Sequence, residues 1–247
     1  MTRGARNHSR AARSRFKPNV RPFPLTRRLA LFIGLVSAAL AADDKVPLPL
    51  ELPHPLFQGT PVPISVPNLE APRKGPRPVF MVPRGTVNLA LGRTVTASDA
   101  SPVVGELGYV TDGDKSGSEG SWVEFGPGIQ WVQVALAAPA RLQAVVVWHY
   151  HQQACVYHDV VVQVADDPGF TKNVRTLFNN DSENAVGLGR GRDQAYIETY
   201  EGKLIDAKGE VAQFVRLYSD GSTLDELNRY LEVEVYGIPE KQAHAGP

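Results

Sequence analysis

The chain has 247 residues, and its 26 Lys/Arg balance its 26 Asp/Glu to a formal net charge of zero. The balance is uneven. Residues 1–42 carry nine Lys/Arg and no acid, and taking nine from 26 leaves 17 basic against 26 acidic residues, a charge of −9 beyond position 42. An acidic body argues against a nucleic-acid partner, which is held through Lys and Arg, and the single cysteine, Cys155, excludes an internal disulfide.

The first element is the apolar run of residues 29–42, LALFIGLVSAALAA, directly after Arg27-Arg28. Spanning a bilayer takes roughly 20 residues, more than this run supplies. Ala39-Leu40-Ala41 has the small-x-small pattern of a signal-peptidase site. Residues 1–42 are therefore expected to be a signal peptide with a long basic leader, cleaved after Ala41 or Ala42. The mature chain is then exported to a periplasm, the extracellular space or a cell surface. An uncleaved membrane anchor is the alternative. Thr26-Arg27-Arg28 is a weak twin-arginine hint, and the absence of a cysteine after the apolar run argues against a lipid anchor.

Residues 43–85 read as a proline-rich extended arm. Positions 45–83 hold 11 of the 20 prolines, as in Val46-Pro47-Leu48-Pro49-Leu50 and Thr60-Pro61-Val62-Pro63. Proline removes backbone donors and favours polyproline-like chain over helix or central strand. Leu50, Leu52, Leu56, Phe57, Ile64, Val66, Leu69, Phe80 and Met81 are interleaved with the prolines. Two readings stand: a semi-rigid linker, or an arm lying along the folded domain or a partner.

From Thr86 the pattern changes to short apolar runs between clusters of Gly, Asp, Asn and Ser. Strands are expected at 95–97, 122–125, 131–135, 142–149, 156–164, 196–200, 214–218 and 231–236. No segment has a long 3.6-residue apolar period. Eight short strands in this span predict an all-β fold, an antiparallel β-sandwich of jelly-roll type. Residues 240–247 read as a disordered tail.

Five motifs carry a family resemblance. They are NLALGRTVTASD at 88–99, VTDGD at 110–114, WVQVAL at 131–136, FVRLYS at 214–219 and LEVEVYG at 231–237. In order and spacing over residues 86–239 the chain resembles the discoidin, or coagulation factor 5/8 type C, domain family. It is likewise similar to family 32 of the carbohydrate-binding modules, which shares the galactose-binding-like jelly roll. Ala135 stands where that family's W-x-Q strand usually has an acid. The resemblance implies a non-catalytic binding module.

Asp112-Gly113-Asp114 is a tight acidic turn whose carboxylates repel unless a cation or a set of donors offsets them. Ca²⁺ takes six to eight oxygens, including backbone carbonyls, so few carboxylates suffice. The resemblance implies a structural calcium held by Asp112 and Asp114 and by Glu232 on the last strand, with Ser116 as a further donor. Glu234 points to the same face as Glu232. The alternative is an Asx turn in which the carboxylates cap backbone N–H groups.

The hairpin at 142–166 gathers His149, Tyr150, His151, Tyr157 and His158 at one end. Three imidazoles suggest a zinc site, but Val145, Val147, His149 and His151 share one strand face, and no carboxylate is clearly placed as a base. The resemblance implies instead a ligand wall. His149 at the strand end matches a sugar-binding histidine, His151 and His158 stand beside it, and Tyr150 or Tyr157 is the aromatic platform. An arginine comes from Arg175, Arg190 or Arg192. Imidazole and guanidinium donate to sugar hydroxyls, and an aromatic face packs on the C–H face of a pyranose. The alternative is that these side chains close the end of the sandwich. Residues 171–210 form a long loop whose GLGRGR stretch lacks the Lys-Ser/Thr of a phosphate loop.

The expected function is an exported, non-enzymatic module that binds a glycan or surface polysaccharide, with a structural Ca²⁺. The alternatives are a protein-interaction module docking a partner through residues 45–83, membrane binding, and a metal-dependent hydrolase at the histidines. Membrane binding has only Val103, Val104 and Leu107 as apolar spikes, which argues against it.

Overall fold

The computed structural model describes residues 44–57 and 63–240, so the expected signal peptide, its cleavage site and residues 241–247 lie outside the described residues. The strands, in chain order, are β1 (Lys45–Pro47), β2 (Met81–Pro83), β3 (Val87–Asn88), β4 (Val95–Ala97), β5 (Val123–Phe125), β6 (Gln130–His149), β7 (Val161–Ala165), β8 (Arg175–Asn179), β9 (Lys203–Asp206), β10 (Val211–Ser219) and β11 (Asn228–Pro239). A 3₁₀ turn, Leu107–Thr111, precedes the acidic turn. The fold is the all-β, antiparallel jelly-roll sandwich the motifs led us to expect.

The 20-residue strand β6 builds both layers. Its first half pairs with β4 and β10, and β10 continues through β7 to β8. Its second half pairs with β9 and β11, and β11 carries β3 and β5 on its other edge. Between the halves the register on β10 jumps from Ala140↔Ala212 to Ala135↔Phe214. Four residues of β6 thus oppose Gln213, whose amide donates to the Leu136 carbonyl at 3.2 Å. A bulge of this kind bends the strand and turns it from one layer into the other.

Alternation then fills the interior. Val132, Val134 and Leu136 of the first half meet Val145 and Val147 of the second, with Val162, Val164, Val215, Leu217, Val233 and Val235 in the same core. Valine suits a pleated, packed surface because its branched side chain has few rotamers to lose. In the second half of β6 the outward residues are buried as well: Ala144, Val146 and Trp148 form a second cluster with Leu231 and Tyr236. Burial on both faces explains the unbroken AVVVW run.

The cover on that outer face is the proline-rich arm. Leu48, Leu50 and Phe80 pack onto the second cluster, β1 pairs with β2, and the Tyr236 hydroxyl donates to the Pro49 carbonyl at 3.3 Å. Farther along, Leu69 bridges Ala195, Arg77 donates to the carbonyls of Glu201 and Gly202 at 3.0 and 3.2 Å, and Arg73 pairs with Glu201. Of the two readings of the arm, the one in which it lies along the folded domain describes the structure.

Four strand expectations change. The expected hairpin at 142–166 does not form, since the second half of β6 pairs with β9 and β11 whereas β7 pairs with β8 and β10. The expected strand at 156–164 starts at Val161, because Asp159 takes a left-handed backbone (φ 51°) that breaks the run. The expected strand at 196–200 is irregular chain, and the pairing segment is β9, which begins just after it at Lys203. β8 lies inside the span read as a long loop.

Candidate functional site

The acidic turn sits against the last strand. Asp112 caps the 3₁₀ turn, and its Oδ1 accepts the Asp114 N–H at 2.8 Å, while Asp114 Oδ1 accepts the Ser116 N–H at 2.9 Å. Both are Asx-type bonds. Fully buried Glu232 accepts the Gly113 N–H at 3.1 Å through Oε2, whereas its Oε1 is buried without a partner. Burial pushes the Glu232 carboxyl up to about 9, with the neighbouring Glu234 and Asp112 charges adding to the shift. Glu234 is paired instead with Lys115, whose ammonium also lies 5.0 Å from the Trp148 ring centre. His151 is buried and its Nε2 meets the Lys115 carbonyl at 3.0 Å, so this imidazole holds the turn from beneath. Among the described residues no three His, Cys, Asp or Glu side chains converge as a metal cluster.

The histidines separate. His149 is on the inner face of β6 with Val145 and Val147 and has no exposed surface. Its Nδ1 lies 2.7 Å from Glu198 Oε1, its ring stacks on Tyr157 at 4.3 Å and 18°, and Tyr230 leans on it at 4.7 Å. Tyr157 is likewise buried. His149, His151 and Tyr157 therefore face protein rather than solvent, and the expected ligand wall loses its inner members to the core. His158 alone of the three histidines reaches the surface, half-buried beside the β10–β11 loop. Tyr150 is half-buried, with its ring edge-on to Trp122 at 5.3 Å.

His158 lines a cleft of about 470 Å³ at the end of the sandwich where β6 and β10 finish. Asp220, Ser222, Asp225 and Glu226 line it from the β10–β11 loop, and Pro127 and Gly128 from the β5–β6 turn. The wall is set by backbone bonds: His158 N–H donates to the Gly221 carbonyl and Asp220 N–H to the His158 carbonyl, both at 3.0 Å. Asp225 is neutralised by a two-pronged bond from Arg229, at 2.9 and 3.0 Å, which holds its carboxyl below the usual range.

The arginines also separate. Arg175 pairs across from Val164, at the far end of β7 from His158, and bonds Glu210 at 3.0 Å and Asp166 at 3.3 Å. Arg190 and Arg192 are exposed on the loop after β8, which leaves Asn179 alongside His158's own segment: Asn180 Oδ1 accepts the Val160 N–H at 2.7 Å. That loop is tightly bonded. Buried Asp181 accepts the N–H groups of Ala185 and Val186 at 2.8 and 2.9 Å, and Gly191 N–H returns to the Asp181 carbonyl at 2.7 Å. Gly191 is required there, since a Cβ would collide with the Asn179 carbonyl.

Reading the sequence missed Glu198, Asp220, Ser222 and Glu226. Glu198 sits in irregular chain 49 residues from its histidine partner, and no spacing rule links the two. The cleft acids lie in the short connection between the last two strands, Asp220 directly after β10 and Asp225 and Glu226 in the DELN stretch, and it reads as an ordinary loop. The expected apolar spikes divide too: Val103 and Val104 are exposed, but Leu107 packs on the core.

No protein-family model matches the sequence, and no curated protein matches it. Solved carbohydrate-binding modules are similar to it in structure. The module CpGH89CBM32-4 of Clostridium perfringens, in complex with GlcNAc-α-1,4-galactose, is 14% identical over 63% of this chain and 97% of that chain, with a TM-score of 0.44. Chitosan-binding module 1 from a chitosanase/glucanase of Paenibacillus sp. IK-5 is 22% identical over 61% of this chain and 99% of that chain, with a TM-score of 0.39. The CBM32 of AlyQ, in complex with 4,5-unsaturated mannuronic acid, is 15% identical over 57% of this chain and 92% of that chain, with a TM-score of 0.38.

Proposed function

We propose that this chain is an exported, non-catalytic module that binds carbohydrate at the His158 end of the sandwich. The observation that carries the reading is the polar cleft formed by His158, Asp220, Ser222 and Glu226 on a fixed backbone wall. Carboxylates accept hydrogen bonds from vicinal hydroxyls, imidazole and the serine hydroxyl both donate and accept, and such a set orients a polyol. Arg190 and Arg192, exposed on the loop after β8, do not line the cleft and would reach a bound glycan only from beyond its rim.

A structural calcium belongs to the same reading. Its ligands are Asp112, Asp114, Ser116 and Glu232, supplemented by carbonyls of the turn. The buried, unpartnered Glu232 Oε1 fits a cation, because a positive charge offsets the burial that otherwise keeps this carboxyl protonated. Bound calcium would tie the acidic turn to β11.

A glycan array that includes GlcNAc-α-1,4-galactose and chitosan oligosaccharides tests the binding, run on the full chain and on His158→Ala and Asp220→Asn. Retention of a glycan by the parent and its loss in both variants is the expected result. Equal retention by all three overturns the placement, and no retention by the parent overturns the function. For calcium, an unfolding midpoint unchanged by chelator sinks the assignment. A second reading, a protein partner on the arm, has one observation behind it: the arm's inner side is spent on the body, yet Val79 and Met81 remain exposed. Pull-downs with Val79→Ser/Met81→Ser against the parent chain decide it.

A further inference from the structure

The cleft at His158 is acidic as well as polar. Asp220, Asp225 and Glu226 line it, and His158 is the one basic side chain in the lining. Asp225 is bonded to Arg229, but the same guanidinium also pairs with Glu124 at 2.6 Å, so one cation serves two carboxylates. Among the described residues Asp220 and Glu226 have no ion-pair partner.

Behind the lining the charge deepens. The register of β7 on β8 runs from Val161↔Asn179 into the bonds joining Val160 and Asn180. The register of β7 on β10 runs from Val161↔Tyr218 to the bridge between Tyr157 and Ser222. Asp159 therefore stands between Asp181 on one side and Asp220 on the other, an acidic row across neighbouring segments at the cleft end. Burial, then the charges of Asp181 and Asp220, hold the Asp159 carboxyl above its ordinary value, against the pull of His158. The acid surplus of the chain beyond position 42, −9 overall, adds a steering field of the same sign.

Crowded like charges repel, and a positive charge placed among them relieves the repulsion. A sugar entering this cleft is sorted by its charge. A uronic acid adds another carboxylate, a neutral hexose brings hydroxyls alone, and an amino sugar brings hydroxyls together with an ammonium. The ammonium is donor-only and the carboxylates of Asp220 and Glu226 are acceptor-only. Hydrogen bonds between ionised partners are roughly twice as strong as neutral ones. The His158 imidazole and the Ser222 hydroxyl remain for the ring hydroxyls. We propose that the cleft selects cationic amino sugars, glucosamine-type residues with a free amine, over their N-acetylated and uronic counterparts. This selectivity rests on the carbohydrate reading of the cleft and names the class of sugar it takes.

Isothermal titration calorimetry of the full chain tests this, at about pH 6, where carboxylates are ionised and an amine is protonated. The probes are a β-1,4-glucosamine tetramer, its fully N-acetylated counterpart, a galacturonate tetramer and tetralysine. At low salt the glucosamine tetramer should bind at least about tenfold more tightly than the N-acetylated one, and the galacturonate should not bind. The gap should close in about 1 M NaCl, where the Debye length falls to roughly 3 Å. Asp220→Asn and Glu226→Gln, each with the parent's unfolding midpoint, should narrow it at low salt. Equal affinity of the two tetramers, lost in His158→Ala, overturns the amino-sugar assignment and leaves the carbohydrate reading standing. Failure to bind either tetramer, while a neutral glycan is retained on the array, does the same, and retention of no glycan at all overturns both. Tetralysine binding as tightly as the glucosamine tetramer reduces the cleft to an unselective acidic surface and also overturns the assignment.

Discussion

Replacing Trp148 with alanine asks whether the proline-rich arm is part of the fold. The indole is fully buried in the cluster of Ala144, Val146, Leu231 and Tyr236 under Leu48, Leu50 and Phe80. Its Nε1 donates to the Tyr200 carbonyl at 2.9 Å, and Gly202 lies so close that a Cβ there would sit 2.6 Å from the ring. Truncating a buried Trp costs about 3–5 kcal/mol through lost transfer and residual cavity, and stranding the Tyr200 carbonyl adds about 1 kcal/mol. A domain holds ~5–15 kcal/mol in total, so Trp148→Ala sits near the limit of folding, while Trp148→Phe, which keeps most of the ring, should lose about half as much. Urea unfolding followed by far-UV circular dichroism gives the stability. Thermolysin cleavage before Leu48, Leu50 and Phe80 reports the arm, and it should quicken in step with the stability loss. A Trp148→Ala chain less than about 1 kcal/mol weaker, with its arm cut no faster than the parent's, refutes the view that arm and sandwich share one core.

Three further outcomes are expected. Because burial lifts Glu232 to about 9 in the fold, its stabilising neutral form is fully present below about pH 4.5 and is lost as pH rises toward 9, a loss of roughly 3 kcal/mol by pH 7. In chelator, the stability of Glu232→Gln minus that of the parent should grow with pH across this window, added Ca²⁺ should flatten the trend, and a difference independent of pH contradicts the burial argument. Gly191→Ala should cost several kcal/mol and loosen the loop carrying Arg190 and Arg192. A wild-type melting curve for this variant is incompatible with the close approach to Asn179. Arg216 lies between Trp131 and Phe170, at 4.3 and 4.1 Å from their ring centres, and bonds Gln133 twice. Arg216→Lys should lose about 1–2 kcal/mol of that stacked, two-pronged contact, and an unchanged denaturation midpoint would show the stack to be incidental.

The sequence by itself determined the architecture, because strand content, alternation and the order of five motifs are local properties. Residue parity put Val145, Val147, His149 and His151 on one face; the first three do share the inner face of β6, but the strand ends at His149 and His151 lies against the acidic turn instead. Parity also set Glu232 and Glu234 together on the other, and the acidic turn does meet Glu232 through Gly113. Parity says which residues share a face but not what covers that face, and here the tertiary structure decided. The bulge at residues 136–139 folds β6 back on itself, so the His149 face becomes interior and the outer Trp148 face is sealed by an arm some 100 residues earlier in the chain. Glu198 and the cleft acids arrive from irregular segments whose positions follow from long-range pairing rather than local pattern. Hence the first histidine singled out lies inside the sandwich, and His158, just before β7 and held by the β10–β11 loop, is the one left facing solvent.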